Sequence, residues 1–380
     1  MTGGPEVPYV DLVALQASLR EELLEAVGRV LDHGQFILGP EVDEFEQRFA
    51  DLCGTRFAVG VASGTDALVL ALRALDVGPG DEVITAPNSF VATASAIALV
   101  GARPVFADVG EDMNIDPEAI SSAVTRRTRA VLPVHLTGRP AAMGRVLEVA
   151  AQHGLAVVED CAQAVLAELD GRHVGSFGDV GCFSLHPLKT LSAAGDAGVL
   201  TTDDEALSAR LRLLRNIGLA TRDDAVLWSG NSRLDTVQAA VMLAKLPYVA
   251  AWTEARRANA AAYVDRLAGA CGIRVPVERP IEYSVYHTFV IQAEERDGLR
   301  SHLRSARIGT AIHYPVPIHL QTVGRALGYG PGDLPVAERQ AERILSLPVH
   351  HGLSPVQRDH VVSGILDFVG EGAGMGTGAR

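Results

Sequence analysis

The sequence is poor in cysteine and contains no cysteine pair. Four cysteines are spread over its 380 residues, and no two of them form a CxxC motif. A disulfide framework or a thiolate zinc site needs paired cysteines, so neither is predicted. The pattern favours a reducing, cytoplasmic environment and predicts no bound metal.

The sequence also lacks an excess of positive charge and a long apolar run. Its 33 lysines and arginines are outnumbered by 46 aspartates and glutamates, which gives a formal net charge of -13. A clustered positive surface is needed to bind nucleic acid or an anionic membrane without sequence specificity. No apolar run is long enough to span a bilayer, and residues 1–6 lack the features of an export signal. We therefore expect no nucleic-acid partner, no membrane partner and no export.

The chain does contain enough apolar sequence for a large core. Hydrophobic residues make up 48% of it, which suffices for one large core and a smaller second one. Between residues 56 and 200, short β-branched runs alternate with segments of helical spacing. This alternation predicts an α/β fold with a mostly parallel sheet sandwiched by helices. The predicted strands are Glu82–Thr85, Pro104–Ala107, Ala130–Val134, Leu155–Val158, Val180–Phe183 and Gly198–Thr201.

A long helical stretch is interrupted at Pro247, and we place a domain boundary there. Residues 1–247 are predicted to form a large cofactor-binding domain, and residues 248–368 a small C-terminal α+β domain. Residues 369–380 contain too much glycine to be ordered by themselves and are predicted to be a flexible tail.

Asp160 and Lys189 are the most informative pair in the chain. Asp160 ends an apolar run that is predicted to be a buried strand, and Lys189 follows 29 positions later, after a second short strand. Open α/β sheets bind their ligands at such strand ends. A partly desolvated lysine can form a Schiff base with an aldehyde, and an acid can pair with a pyridine nitrogen. The pair therefore predicts a site for pyridoxal 5′-phosphate (PLP), whereas the alternatives are an exposed turn lysine and an acid that caps a helix or pairs with an arginine.

Small residues mark the start of an Ala/Leu-rich helix. Ser63, Gly64 and Thr65 join a loop to this helix, whose first N–H groups and dipole can bind a phosphate. Ser184 could add a hydroxyl to the same phosphate. Taken alone, the segment is more typical of an ordinary helix N-cap. Together with Lys189, it predicts a phosphate site.

Further residues are candidates for contacts with the cofactor or the substrate. Phe90 follows a predicted strand and could stack on a flat ring, although a core phenylalanine fits as well. Gln163 could face the same ring or the solvent. His186 could contact substrate or relay a proton, or it could make structural hydrogen bonds only. Three candidates in the second domain could reach the substrate across the cleft: His313, Tyr314 and His319.

As an ordered set, these segments resemble the sugar aminotransferases of the DegT/DnrJ/EryC1/StrS family, which are fold-type I enzymes dependent on PLP. The resemblance spans most of the chain and is highly specific. The segments that carry it are Ser63–Leu68, Pro87–Thr93, Pro133–Leu136, Val158–Ala164, Phe183–Asp196, Gly230–Asp235 and His313–Pro315.

The resemblance implies a role for individual residues. Lys189 would form the Schiff base and, once freed, act as the base, while Asp160 would hold the pyridine nitrogen. It also implies a homodimer with shared active sites, L-glutamate as amino donor and a nucleotide-linked keto deoxysugar as acceptor, with dTDP as the expected nucleotide. The other implied cofactor contacts are Gly64, Thr65 and Ser184 at the phosphate, Phe90 and Gln163 beside the ring, and Asn231 at the phosphate of the neighbouring subunit.

Some positions depart from the commonest family pattern and leave the sugar open, namely Thr137, Thr190 and Ala197. His186-Pro187 slightly favours amination at carbon 4 over carbon 3. One alternative function is that of a sugar dehydratase of the same family, in which a histidine replaces Lys189. Another is that of a non-catalytic PLP-binding regulator, which we would expect to have lost Lys189 or gained a DNA-binding domain. The lysine opposes both, and the acidic charge opposes DNA contact.

Overall fold

The computed structural model describes residues 4–375. The helices are α1 (Leu12–Ala17), α2 (Arg20–His33), α3 (Pro40–Cys53), α4 (Gly64–Ala74), α5 (Val91–Leu99), α6 (Pro117–Ala123), α7 (Met143–His153), α8 (Glu205–Arg215), α9 (Thr236–Lys245), α10 (Val249–Leu267), α11 (Arg296–Ser305), α12 (Thr322–Arg325), α13 (Pro335–Arg343) and α14 (Pro355–Met375). The strands are β1 (Phe57–Val61), β2 (Glu82–Thr85), β3 (Arg103–Phe106), β4 (Thr128–Leu132), β5 (Ala156–Asp160), β6 (Glu168–Leu169), β7 (Arg172–His173), β8 (Val180–Ser184), β9 (Gly198–Thr202), β10 (Leu219–Thr221), β11 (Asp224–Ala225), β12 (Ile273–Arg274), β13 (Glu282–Tyr283), β14 (Phe289–Ala293) and β15 (Ile344–Leu347). Short 3-10 turns lie at Leu136–Gly138, Leu246–Tyr248 and Ile318–Leu320.

The main sheet has seven strands in the order β1-β9-β8-β5-β4-β2-β3. Strands β8, β5, β4, β2 and β3 pair in parallel, and β9 is antiparallel to both of its neighbours, β1 and β8. Every predicted strand is present, with bounds within two residues of the prediction. The predicted α/β fold with a mostly parallel sheet is therefore confirmed.

Helices cover both faces of this sheet. Successive strand residues point to opposite faces, so apolar residues on each strand pack against helices on both sides. Val158 of β5 packs in a cluster with Leu68 and Leu72 of α4, whereas its neighbour Val157 packs in another cluster with Val146 of α7. Burial on both faces explains why the strands are continuous apolar runs.

The smaller unit has its own sheet and core. Strands β12, β14 and β15 form an antiparallel sheet in that order. Its core includes Phe289 of β14, Tyr263 of α10, Leu303 of α11 and Val361 of α14. The 3-10 turn at Leu246–Tyr248 separates α9 from α10 where the domain boundary was placed.

Two segments pack against the unit to which the predicted domain ranges did not assign them. Near the N-terminus, Val7 pairs with Ile308 and belongs to the core of the small unit. In the opposite direction, Ile318 and Leu334 pack in the same cluster as Phe106 of β3. The predicted ranges 1–247 and 248–368 therefore assign these two segments to the wrong unit. Their apolar residues are buried in the core of the other unit, which their position in the chain does not indicate.

The last helix extends beyond the predicted end of the small domain. Residues 369–375 of the predicted flexible tail belong to α14, and residues 376–380 lie outside the described residues. In the stretch from residue 4 to residue 375, we find no helix with the length and apolar character needed to cross a bilayer.

Candidate active site

The candidate site lies at the carboxyl ends of neighbouring parallel strands. Strand β5 ends with Asp160 and β8 ends with Ser184, and the register places Asp160 opposite Cys182. Lys189 lies in the turn that follows β8, close enough for its charge to act on the pKa of Asp160. Two residues far apart in sequence therefore meet at one edge of the sheet, as predicted.

Asp160 is a buried carboxylate with fixed hydrogen bonds. Its Oδ2 accepts a hydrogen bond from the Thr93 hydroxyl at 2.8 Å, and its Oδ1 accepts one from the Ala162 N–H at 3.1 Å. Burial raises the pKa of Asp160, whereas these two donors and the nearby Lys189 act to lower it. A buried carboxylate in this setting is stabilised by a further positive or N–H partner.

Lys189 is partly buried and held in a tight turn. Its backbone N–H donates to the His186 carbonyl at 2.8 Å, and the Leu188 N–H donates to His186 Nδ1 at 3.2 Å. Burial lowers the pKa of the Lys189 amine to about 8, and the Asp160 charge opposes this shift. The amine is thus neutral, and nucleophilic, over a larger part of the neutral pH range than that of a solvated lysine.

The N-terminus of α4 packs tightly against the ends of β8 and β9. Ser63 caps the helix by accepting the Asp66 N–H at 3.0 Å. A Cβ added to Gly64 would lie 2.5 Å from the Ser184 Cβ, so only glycine permits this approach. The first N–H groups of a helix have no intrahelical acceptor, and Gly64, the first residue of α4, lies against Ser184. The segment is both an N-capped helix start and a cradle shaped for an anion.

Aromatic and amide side chains from both units meet above this edge. Gln163 Oε1 accepts the Thr137 N–H at 2.7 Å, and its Nε2 donates to the Tyr314 hydroxyl at 3.4 Å. The Phe90 and Tyr314 ring centroids are 5.7 Å apart, and Phe90 is 56% exposed, so it is not a core residue. Burial raises the pKa of Tyr314 to about 12. The arrangement leaves an aromatic face available to a flat ring.

His313 approaches Lys189 from the small unit. Its Nδ1 lies 2.9 Å from the Ser346 hydroxyl, and burial together with the Lys189 charge lowers the pKa of His313 to about 4. His287, which the sequence did not single out, is affected in the same way: burial and Lys189 hold its pKa well below the usual value. Both imidazoles are therefore neutral near pH 7.

His319 does not lie at the cleft, contrary to its selection as a substrate contact. Its side chain is fully buried, its Nε2 lies 3.0 Å from Glu338 Oε1, and its ring meets Tyr329 edge-on. The cause is the segment that contains Ile318, which carries His319 inward as it packs on the large unit. The structure thus gives His319 a packing role.

Asn231 and His186 have local structural contacts. Asn231 is exposed and accepts the Arg233 N–H at 3.4 Å, while its neighbour Ser232 donates to Asp66 at 3.2 Å beside the cradle. His186 shapes the Lys189 turn through its Nδ1. Roles for Asn231 towards a neighbouring subunit and for His186 in catalysis stay predictions.

A buried pair beneath Asp160 was missed by sequence reasoning. His135 Nε2 lies 3.0 Å from Glu159 Oε2, and Glu159 also accepts three backbone N–H groups, those of Gly175, Phe177 and Gly178. These hydrogen bonds explain why the His135 imidazole and the Glu159 carboxylate lie close together, and Cys161 lies beside them. A glutamate directly before Asp160 in an apolar strand was the available signal.

These groups fit PLP. The Lys189 amine suits its aldehyde, the buried Asp160 suits the pyridine nitrogen, and the glycine-dependent cradle at Gly64 suits its phosphate. The fold and the site therefore define a PLP-dependent enzyme built on an α/β sheet.

The chain belongs to the DegT/DnrJ/EryC1/StrS aminotransferase family, whose sequence profile matches residues 17–366. It is a PLP-dependent sugar aminotransferase. A dTDP-3-amino-3,4,6-trideoxy-alpha-D-glucose transaminase from Streptomyces venezuelae is 44% identical, covering 96% of each chain. A UDP-N-acetyl-3-dehydro-alpha-D-glucosamine 3-aminotransferase from Acidithiobacillus ferrooxidans is 46% identical, covering 92% of this chain and 94% of its own. A relative named pleiotropic regulatory protein, from Geobacillus stearothermophilus, is 40% identical, covering 95% of this chain and 98% of its own.

The fold agrees with that of solved aminotransferases. The crystal structure of DesV from S. venezuelae superposes with a TM-score of 0.94 at 44% identity, covering 96% of this chain and 99% of that chain. Agreement over nearly the whole of both chains shows that the fold of both units is shared.

Proposed function

We propose that this aminotransferase moves an amino group from L-glutamate to carbon 3 of a dTDP-linked keto deoxysugar. The observation that carries the transfer is the position of Lys189, whose amine has a lowered pKa and whose charge acts on the buried Asp160. A lysine placed in this way can serve first as an attachment point and then as a base.

The proton transfers follow from the groups around Lys189. Bound PLP supplies an electron sink that stabilises negative charge at the substrate carbon. The neutral Lys189 amine would act as the base that takes the proton from that carbon and, once protonated, as the acid that returns a proton. Asp160 would keep the pyridine nitrogen protonated, and its hydrogen bonds from Thr93 and Ala162 hold the carboxylate in place.

Other residues would bind and shield the reacting groups. The α4 N-terminus, with Gly64 against Ser184, would hold the phosphate. Phe90 would cover one face of the ring, and the hydrogen bond between Gln163 and Tyr314 joins the two units across the cleft. A cleft closed in this way excludes water from the reacting carbon.

The choice of carbon 3 departs from the slight preference for carbon 4 in the sequence reasoning. That preference rested on His186-Pro187, but the His186 ring supports the turn before Lys189. The S. venezuelae and A. ferrooxidans relatives are both named for amination at position 3. We choose dTDP over UDP because the S. venezuelae relative matches in both sequence and fold.

The protein loaded with PLP should lose its visible absorption on addition of L-glutamate and regain it with the correct keto sugar. A panel of dTDP- and UDP-linked 3-keto and 4-keto sugars, with product identification by NMR, tests the substrate. An amine at carbon 4 would contradict the proposed position, and a UDP product the proposed nucleotide. A spectrum unchanged by any amino donor would favour the non-catalytic regulator, and loss of a sugar hydroxyl without amine transfer would favour the dehydratase.

The surface around the site supports a homodimer with shared sites. Large apolar side chains are exposed near Lys189 and near the segment that contains Asn231, and such patches mark interfaces. Ile37 pairs with Asp235, four residues after Asn231 in the chain. The exposed residues are Phe36, Ile37, Leu188 and Trp228.

Mixed dimers would test sharing directly. Lys189→Ala and Asn231→Ala are each expected to be impaired, but after unfolding and refolding together the mixture should recover about a quarter of wild-type activity, because a mixed dimer contains one intact shared site. Two Lys189→Ala preparations mixed in the same way are the control. No recovery from the mixture, with mixed dimers shown by mass, would mean that Asn231 does not act across an interface.

A further inference from the structure

The N-terminal segment is built into the small-unit side of the cleft. The Val7 N–H donates to the Arg307 carbonyl at 3.0 Å, and the Gly309 N–H donates to the Val7 carbonyl at 2.8 Å. A Cβ on Gly309 would lie 2.7 Å from the Tyr9 nitrogen, so glycine permits this close passage. As a result, the Tyr9 ring lies 5.8 Å from the His313 ring, measured between centroids.

Ser346 lies between Tyr9 and His313. It is fully buried in β15, and its backbone exchanges hydrogen bonds with Ala311, two residues before His313. Its hydroxyl lies 2.9 Å from His313 Nδ1 and is close enough to the Tyr9 phenol to act on the pKa of Tyr9. One hydroxyl thus lies beside both the phenol and the imidazole.

The other imidazole nitrogen of His313 faces a different environment. Within residues 4–375, His313 Nε2 makes no hydrogen bond, and it is not among the buried nitrogen atoms that lack a partner. The ring packs edge-on against Tyr314, at 5.4 Å between centroids, and Tyr314 contacts Gln163 and Phe90. His313 Nε2 is therefore accessible, and the neighbouring Tyr314 contacts two of the candidate cofactor residues.

The surrounding charges favour one direction of hydrogen bonding. Arg256 is buried beside Tyr9 and donates to the carbonyls of Tyr286 and His287 at 3.3 Å and 3.2 Å. A cation next to the phenol favours an O–H that points away from it, towards Ser346. The Ser346 hydroxyl can then donate to His313 Nδ1, which leaves the ring proton on Nε2.

We propose that Tyr9 and Ser346 are positioning residues that fix His313 as the neutral tautomer protonated at Nε2, and that this N–H donates a hydrogen bond to an oxygen of the keto sugar beside Lys189. The sugar contact rests on the proposed function, whereas the tautomer does not. The groups that face His313 agree with a neutral ring, because the nearby side chains are uncharged or cationic: Tyr9, Tyr314, Ser346, His287, Arg256 and Lys189.

The tautomer can be measured without substrate. In the full-length, PLP-loaded protein with ¹⁵N-labelled histidine, the His313 signals, assigned by their absence in His313→Gln, should show an unprotonated Nδ1 and a protonated Nε2. Ser346→Ala and Tyr9→Phe should each shift the ring towards a mixture of tautomers. A proton on Nδ1 in the wild type, or a ring unchanged in Ser346→Ala, would overturn the positioning role.

Half-reactions test the sugar contact. Ser346→Ala should raise the KM for the keto sugar by about threefold to tenfold, the worth of one hydrogen bond, and leave the half-reaction with L-glutamate unchanged. His313→Gln retains an N–H donor at the position of Nε2 and should be less impaired than His313→Ala. Ser208→Ala, another buried serine but in α8, is the matched control.

The outcomes separate the two proposals. Equal impairment of both half-reactions in Ser346→Ala, or equal impairment of His313→Gln and His313→Ala, would overturn the sugar contact. If no keto sugar is aminated, the proposed function fails, while the expected tautomer still decides the positioning role.

Discussion

The two sides of the cleft are built in different ways. On the large-unit side, Asp160 and Ser184 are the last residues of neighbouring strands, and Lys189 lies five residues beyond Ser184. On the small-unit side, His313 lies 2.9 Å from the Ser346 hydroxyl and is packed against Tyr9, which comes from the opposite end of the chain. The residues that suit the cofactor thus lie at strand ends and in the turn after β8, whereas the proposed substrate contacts come from segments far apart in the chain.

The largest expected effect on activity comes from replacing Lys189, on the large-unit side of the cleft. Lys189→Ala should lower transamination by more than about 10⁴-fold, because one side chain serves as attachment point and base. The chain has only two lysines, and burial lowers the pKa of both, so Lys245→Met is a matched control. Borohydride should fix PLP covalently to the wild type and to Lys245→Met. If Lys189→Ala retains a borohydride-reducible linkage, the assignment of Lys189 is wrong.

Asp160→Asn should lower the rate by about 10²- to 10³-fold, because an amide keeps the shape but cannot carry the negative charge that holds a proton on the ring nitrogen. Thr93→Val removes one hydrogen bond to Asp160 and should cost about tenfold. Single-turnover kinetics with L-glutamate would measure both. Similar losses in the two variants would mean that placement of the carboxylate, and not its charge, governs the rate.

Gly64→Ala tests the cradle and should mainly weaken cofactor binding. The added Cβ would meet the Ser184 Cβ at 2.5 Å, and relieving such overpacking costs about 1–3 kcal/mol. The affinity for PLP should therefore fall by about 5- to 150-fold, as measured by fluorescence titration. Gly144→Ala in α7 is the control, because its Cβ would meet no atom within 4 Å. Equal PLP affinity in both variants would contradict a cradle at Gly64.

The pH dependence of PLP attachment reports on Lys189. A lowered amine pKa means that the neutral form appears at lower pH, so the rate of attachment to PLP-free protein should rise with pH and level off above about 8. Stopped-flow absorption would give the midpoint. Lys245→Met should keep the same midpoint, whereas a midpoint near the ordinary value of 10.5 would contradict a desolvated Lys189.

The smallest effect on catalysis is expected at His319. His319→Leu removes the hydrogen bond to Glu338 and should destabilise the fold by about 1–2 kcal/mol while leaving the KM for the keto sugar unchanged. His313→Ala should do the reverse, with a higher KM and little change in stability. Thermal unfolding and steady-state kinetics distinguish the two variants. A raised KM for the keto sugar in His319→Leu would mean that His319 contacts the substrate.

The sequence predicted the structure best where a local residue pattern also fixes the position of a residue in the sheet. The β-branched run before Asp160 predicted a buried strand, and a strand end in a parallel sheet predicted its place at the ligand edge. The hydrogen bond from Thr93 to Asp160 spans 67 positions, and no local period indicates it. The His313-Tyr314 and His319 candidates looked alike in sequence, yet packing put the first two at the cleft and buried the third.

The sequence by itself determined the sheet, the cofactor and the Lys189–Asp160 pair, because strand periodicity and strand-end chemistry are local properties of the chain. Only the tertiary structure decided which side chains complete the small-unit side. Tyr9 and Ser346 reach His313 because the N-terminal segment adds to the small core and β15 pairs beside it. Such contacts depend on how whole segments pack, and burial of apolar surface does not specify in advance which polar groups it brings together.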